Sequence, residues 1–135
     1  MSKFQTLFFV IVALFFALAW AAPTNPPTPG GKIKVTGPDG RFKFDSYQAV
    51  SWTADYDVPD KWNRKVDVYI ARKLGNGPDL LKYVYVGRYN YGNTWAGFQA
   101  HVNQGVYYAY VELVPTPDDP STDVWGTGPL FFIDY

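Results

Sequence analysis

The chain has 135 residues, with twelve basic and twelve acidic side chains, one histidine and no cysteine, and 47% of its residues are hydrophobic. This length suits a single domain, and the apolar, aromatic-rich composition is typical of a folded protein rather than a disordered one. The lack of cysteine excludes disulfides and thiolate metal sites, and the balanced charge argues against a basic surface for nucleic acid or an anionic membrane.

The first segment has the pattern of a signal peptide. Lys3 precedes a nearly continuous apolar run over residues 4–19, and Ala19-Trp20-Ala21 fits the small-residue rule for cleavage. A transmembrane anchor is the alternative, but the run is shorter than the ~20 residues that a membrane-spanning helix needs. We therefore expect cleavage after residues 1–21, a secreted chain and no membrane span.

A leader rich in Pro, Thr and Gly follows over residues 22–31. Such a composition favours an extended segment, in which Thr24 and Thr28 are candidate acceptors for O-glycosylation. Asn93-Thr94-Trp95 does not match the N-glycosylation sequon, because its threonine comes one position too early. We expect no N-linked glycan.

The remaining residues, 32–135, have the rhythm of an all-β domain. Short runs of β-branched and aromatic residues alternate with clusters of Gly, Pro, Asn and Asp, which predicts strands joined by turns. Seven or eight antiparallel strands at this spacing predict an immunoglobulin-like β-sandwich, with a small barrel as the alternative. Trp52, on the inward face of an early strand, favours the sandwich. The predicted strands cover residues 32–36, 41–44, 47–54, 65–71, 82–86, 95–102, 106–113 and 130–133.

Alternation within these strands predicts a set of outward-facing tyrosines. Val66, Val68 and Ile70 share one face, so the side chains between them lie on the other. Aromatic rings stack on the C–H faces of sugars and phenols add hydrogen bonds, so these residues are candidates for glycan binding. The alternative is ordinary cross-strand pairing on a half-exposed sheet. The candidates are Tyr69, Tyr83, Tyr85, Tyr108 and Tyr110.

Two acidic loops suggest a calcium site. In an immunoglobulin-like domain, the loop after the Trp52 strand and the loop before the last strand lie at the same end. Ca²⁺ takes 6–8 oxygen ligands, although Asp in Pro-rich loops more commonly serves turn formation. No other cofactor is predicted. The candidate ligands are Asp55, Asp57, Asp60, Asp118, Asp119 and Asp123.

Catalytic patterns are scarce. His101 is the only imidazole, the serines after residue 21 are Ser46, Ser51 and Ser121, and no Gly-x-Ser-x-Gly motif is present. A glycosidase would need paired carboxylates in a deep groove, for which a domain this small has little material. We expect His101 at the surface and no enzymatic activity.

Several segments resemble the immunoglobulin-like N-terminal domain of the fungal Ser/Thr-rich, GPI-anchored cell-wall proteins. This family is related to the yeast cell-wall synthesis proteins linked to β-1,6-glucan. The segments are the Pro/Thr leader and residues 47–53, 66–74, 107–113 and 131–133. Family members commonly continue into a Ser/Thr-rich stalk and a GPI signal, whereas this sequence stops at Tyr135 without one, which favours a freely secreted form.

The resemblance implies a non-catalytic, extracellular module that acts in wall organisation by binding glycan or wall protein. The alternative is a secreted apoplastic or host-directed protein that uses the same tyrosines against a protein partner. A minor alternative is a glycan hydrolase that uses the loop carboxylates.

Overall fold

The computed structural model describes residues 30–73 and 81–135, with residues 81–83 described for their backbone alone. In this part of the chain the protein is all-β, with eight strands in two sheets and one short 3-10 helix, Tyr91–Asn93. The predicted signal peptide and most of the predicted leader lie outside the described residues. The strands are β1 (Val35–Gly37), β2 (Gly40–Lys43), β3 (Tyr47–Trp52), β4 (Lys65–Arg72), β5 (Leu81–Asn90), β6 (Trp95–Gln99), β7 (Gly105–Leu113) and β8 (Trp125–Asp134).

The strands divide into a three-stranded sheet, in the order β1-β3-β6, and a five-stranded sheet, in the order β2-β8-β7-β4-β5. Neighbours are antiparallel except for β2 and β8, which run parallel with Gly40 opposite Phe131. The prediction of antiparallel strands throughout is therefore wrong at this pair. Alternation of side chains specifies which residues share a face, but it does not specify the direction of a neighbouring strand.

The core takes side chains from both sheets. The predicted inward sets of β3 and β4 are confirmed, with Trp52 only 3% exposed and Val66 fully buried. Both sheets thus bury the apolar half of an alternating pattern, which is the main source of stability in a chain without cysteine. The buried strand residues in this cluster are Val35, Val50, Trp52, Val66, Val68, Ile70, Ala96, Tyr107, Ala109, Val111, Leu113, Phe131 and Ile133.

The last strand is longer than predicted, because β8 begins at Trp125 rather than at residue 130. The first half of this strand was not predicted because it contains Gly126 and Gly128, and glycine usually weakens strands. A Cβ at Gly126 would lie 1.8 Å from the carbonyl oxygen of Ile33, so glycine is needed where the incoming chain crosses β8. Residues 30–33 are hydrogen-bonded to β8 at this point, with Ile33 N donating to Trp125 O at 3.0 Å.

Candidate functional site

The outer face of the five-stranded sheet brings aromatic and charged side chains into two rows. Tyr69 of β4 lies opposite both Tyr85 of β5 and Tyr110 of β7, which forms an aromatic row. Asp67 lies opposite both Arg88 and Glu112, and Trp125 of β8 extends this second row. We call this surface the tyrosine face, and it consists of Tyr69, Tyr85, Tyr110, Trp125, Asp67, Arg88 and Glu112.

The four rings of the tyrosine face form a continuous chain across four strands. Ring centroids are 5.2 Å apart for Tyr69 and Tyr85, and 6.2 Å apart for Tyr69 and Tyr110. Tyr110 and Trp125 are separated by 6.1 Å, with ring planes only 14° from parallel. These separations lie in the favourable range of about 4.5–7 Å for aromatic pairs. Tyr85 is the most accessible of the four, with 53% of its surface exposed.

The charged row is organised around the Asp67 carboxylate. Arg88 donates to both of its oxygens, from Nε at 2.9 Å and from Nη2 at 3.0 Å, while the Tyr85 hydroxyl donates to Oδ1 at 2.8 Å. This bidentate pairing fixes the guanidinium plane, which a lysine could not do. The Asp67 side chain is only 13% exposed, whereas that of Arg88 is 54% exposed. The charged row therefore exposes the Arg88 guanidinium to solvent, and the nearly buried Asp67 carboxylate holds it in a fixed orientation.

The phenols of this face are held in their neutral form. Burial, followed by the charge of Glu112 and hydrogen bonding to it, raises the pKa of Tyr110 to about 12. The pKa of Tyr69 is also raised, first by burial and then by the charge of Glu112. The hydrogen bond to Asp67 is the main reason that the pKa of Tyr85 is raised. At neutral pH the three phenols of the face therefore keep their hydroxyl protons.

A shallow cavity of about 160 Å³ adjoins the charged row. Asp67 and Glu112 form one side of it, and the segment that follows β7 forms the other. The cavity is therefore bordered by two of the carboxylates of the tyrosine face. Its lining is completed by Leu113, Val114, Pro115 and Thr122.

The structure brings together three of the five tyrosines that alternation predicts. Tyr69, Tyr85 and Tyr110 are in mutual contact or one ring apart, whereas Tyr108 is only 3% exposed and offers no ring to a ligand. Alternation predicts the face on which Tyr108 lies, but not what covers it. The side chain of Tyr83 lies outside the described part of the structure.

Four members of the tyrosine face, Trp125, Asp67, Arg88 and Glu112, are not among the candidates that the sequence predicts. Trp125 was overlooked because Gly126-Thr-Gly-Pro129 does not have the composition of a strand. Asp67 lies between two buried valines, which signals an outward position, but its ion pair with Arg88 depends on the β4–β5 register. Register could not be derived, because eight residues separate the two strands and a segment of that length does not specify it.

Three carboxylates of the acidic loops are paired with other side chains. Asp119 pairs with Arg64 at 2.8 Å, Asp123 pairs with Lys32 at 2.7 Å, and Asp60 accepts a hydrogen bond from Asn63 at 2.9 Å. Within residues 30–73 and 81–135, no three His, Cys, Asp or Glu side chains form a group that could hold a metal ion. The calcium site, which also included Asp55, Asp57 and Asp118, stays a prediction for which these residues provide no ligand set.

His101 lies at the surface, as expected, with its side chain 58% exposed and Nε2 2.6 Å from an oxygen of Asp45. The hydroxyl of Ser46 donates to the carbonyl oxygen of Lys43 at 2.6 Å. Ser51 is hydrogen-bonded to Thr36 at 2.8 Å. His101 thus contacts a loop carboxylate, and the two serines form hydrogen bonds to a backbone carbonyl and to a threonine on a neighbouring strand.

Comparison of the chain with protein-family models, with curated proteins and with solved structures finds no match. The described residues include no helix with the length and apolar character needed to cross a membrane. The interpretation of function therefore depends on the fold and the tyrosine face.

Proposed function

We propose that the domain is an immunoglobulin-like β-sandwich. In that fold, strands A, B and E share one sheet and strands C, F and G share the other, with C′ added beside C in the variable type. The groups β1-β3-β6 and β5-β4-β7-β8 match this division with β1 as strand A and β8 as strand G. The next strand in the chain, β2, then corresponds to a second part of strand A that pairs in parallel with G. The hydroxyl of Tyr107, near the start of β7, donates to the carbonyl oxygen of Asn103, as in the tyrosine corner of strand F.

We further propose that the domain is a secreted, non-catalytic module that binds cell-wall glycan through the tyrosine face. One observation carries this proposal, namely a chain of four contacting rings beside a bidentate Arg88–Asp67 pair. Flat rings stack on the C–H faces of pyranoses, while fixed charged groups hydrogen-bond to sugar hydroxyls. The resemblance of residues 47–53, 66–74 and 107–113 to fungal wall proteins supports the same assignment and suggests wall organisation as the role.

Co-sedimentation of the chain after removal of residues 1–21 with insoluble β-glucan and chitin tests this proposal. We expect binding to at least one of these polymers, and weaker binding in a Tyr85→Ala/Trp125→Ala variant that still unfolds cooperatively. Tyr135→Ala is a matched control, because Tyr135 is 70% exposed and lies outside the tyrosine face. Equal retention of the double variant and the wild type would contradict the proposal.

A protein partner is the second candidate for the same face. Tyr, Trp and Arg are the residues most enriched in protein–protein hot spots, and the tyrosine face contains all three types. Under this alternative, wild-type protein would sediment with none of the polysaccharides, and Arg88→Ala would abolish capture of the protein partner. The same co-sedimentation panel therefore separates the two candidates.

A further inference from the structure

The outer face of the three-stranded sheet carries a second aromatic surface. Tyr47 on β3 is 78% exposed, and Trp95 on β6 is 62% exposed. The β3–β6 register places Tyr47 opposite Gln99 and Ser51 opposite Trp95, so the two rings lie at diagonal corners of the paired strands. With about 3.3 Å per residue, the four-residue separation between these cross-strand pairs corresponds to roughly 13 Å along the sheet.

Small residues occupy the space between these corners. Ala49 and Gly97 are opposite each other in the middle of the strand pair, and both are exposed. A Cβ at Gly97 would lie 3.5 Å from Cζ3 of Trp95, so the indole leans over the glycine. The surface is therefore a shallow trough with an aromatic ring at each end.

The charge of this trough differs from that of the tyrosine face. The outward positions of β3 and β6 carry no ionisable group other than the Tyr47 phenol, and their polar side chains are a hydroxyl and an amide. At one end the Gln99 amide donates to Asp45 Oδ1 at 2.7 Å. The outward side chains themselves complement an uncharged polyol. The outward residues are Tyr47, Ala49, Ser51, Trp95, Gly97 and Gln99.

The size of the trough favours a narrow ligand over a protein. Three strands about 4.8 Å apart, with a longest strand of six residues, cover roughly 300 Å². A stable protein–protein interface takes about 800 Å² from each partner. A single polysaccharide chain needs only a strip of surface, and it can lie along the trough with sugar rings on Tyr47 and Trp95.

We propose that this trough is a second binding surface for a neutral polysaccharide chain, on the sheet opposite the tyrosine face. The module would then hold two chains at once and cross-link them. The proposal of a second binding surface depends only on the residues of the trough. The proposal of cross-linking also depends on the proposed function of the tyrosine face.

The test uses the Tyr85→Ala/Trp125→Ala variant, in which the tyrosine face is disabled, and soluble neutral β-glucan oligosaccharides as the probe. We expect this variant to retain residual binding that is weaker than that of the wild type, measured by isothermal titration calorimetry, and adding Tyr47→Ala and Trp95→Ala to weaken this residual binding at least tenfold. Trp62→Ala, made in the same background, is the matched control, because Trp62 is 65% exposed on a loop.

Two outcomes would overturn the proposal. If the Tyr85→Ala/Trp125→Ala variant binds no oligosaccharide while the wild type does, the second surface is wrong and the proposed function stands. If the wild type forms a dimer in sedimentation equilibrium that Trp95→Ala dissociates, the trough is an interface between two copies. If the Tyr85→Ala/Trp125→Ala variant binds as tightly as the wild type, and adding Tyr47→Ala and Trp95→Ala weakens that binding, the second surface stands and only the proposed function of the tyrosine face is contradicted.

Discussion

The indole Nε1 of Trp52 donates a hydrogen bond of 2.8 Å to the carbonyl oxygen of Tyr91, and both residues are buried. Tyr91 in turn donates from its hydroxyl to the carbonyl oxygen of Tyr56 at 3.0 Å. These bonds connect β3, the loop that follows it and the 3-10 helix between β5 and β6. In a chain without disulfides, they join segments far apart in sequence.

Trp52→Phe tests the contribution of the indole bond. The substitution removes the N–H donor and leaves the Tyr91 carbonyl without that partner, so we expect the free energy of unfolding to fall by about 1–3 kcal/mol. Urea unfolding of both proteins measures the change. Trp62→Phe, at an exposed tryptophan, should stay within about 0.5 kcal/mol of wild type. Equal effects of the two substitutions would contradict the role assigned to Trp52.

Gly126→Ala tests the crossing of the incoming chain over β8. A Cβ at Gly126 would lie 1.8 Å from the backbone oxygen of Ile33, so the backbone must move. We expect a loss of at least about 1–3 kcal/mol of stability, as for overpacked cores. Gly105→Ala is the control, because the nearest atoms to its Cβ would be 3.6 Å away. A Gly126→Ala protein as stable as the Gly105→Ala protein would show that residues 30–33 are not held at β8.

Much of the fold could be predicted from the sequence because burial follows alternation. Val66, Val68 and Ile70 signalled their inward positions, and the buried Trp52 was expected. Strand direction at β2 and the start of β8 were not predictable, since they depend on tertiary contacts. Gly126 is a local strand breaker that the close approach of Ile33 requires.

The candidate site was predictable in part for the same reason. Alternation selects Tyr69, Tyr85 and Tyr110, whereas the pairing of Asp67 with Arg88 depends on register between strands. Tyr108 shows the limit of alternation, because its position on the outward face did not make it accessible. Partners across strands and coverage by other segments are properties of the folded chain.

The raised pKa of Tyr110 predicts that the folded protein loses stability at alkaline pH. Its pKa of about 12 in the folded protein exceeds the ordinary value of 10.0, so folding favours the neutral phenol. This contribution is complete below pH 10 and is lost as the pH rises through about 12. Thermal unfolding from neutral pH to pH 12 should show a smaller decline for Tyr110→Phe than for wild type. Identical declines would contradict the raised pKa.

Glu112→Gln tests one cause of that raised pKa. Removing the negative charge beside Tyr110 makes its phenolate less unfavourable, so we expect the pKa of Tyr110 to fall while remaining above 10.0 because of burial. Absorbance titration of tyrosinate in the variant and in wild type, with Tyr110→Phe to identify the signal, measures the shift. An unchanged or higher pKa would show that Glu112 does not act on Tyr110.

Arg88→Lys separates binding from stability at the tyrosine face. Lysine keeps the charge but cannot reproduce the two parallel bonds to Asp67, so we expect glycan affinity to fall about tenfold. The melting temperature should change little, because lysine keeps a positive charge beside the nearly buried Asp67 carboxylate and the position itself is 54% exposed. Calorimetric binding and thermal unfolding are the two measurements. Unchanged affinity would remove Arg88 from the binding surface.

The most direct test of the central claim is an NMR titration of the ¹⁵N-labelled protein with soluble β-glucan oligosaccharide, following the tryptophan indole N–H signals. Trp125 reports on the tyrosine face, Trp52 on the core and Trp62 on an exposed loop. We expect the Trp125 signal to shift with oligosaccharide concentration while those of Trp52 and Trp62 stay fixed. A Trp125 signal that does not move at saturating oligosaccharide would contradict glycan binding at this face.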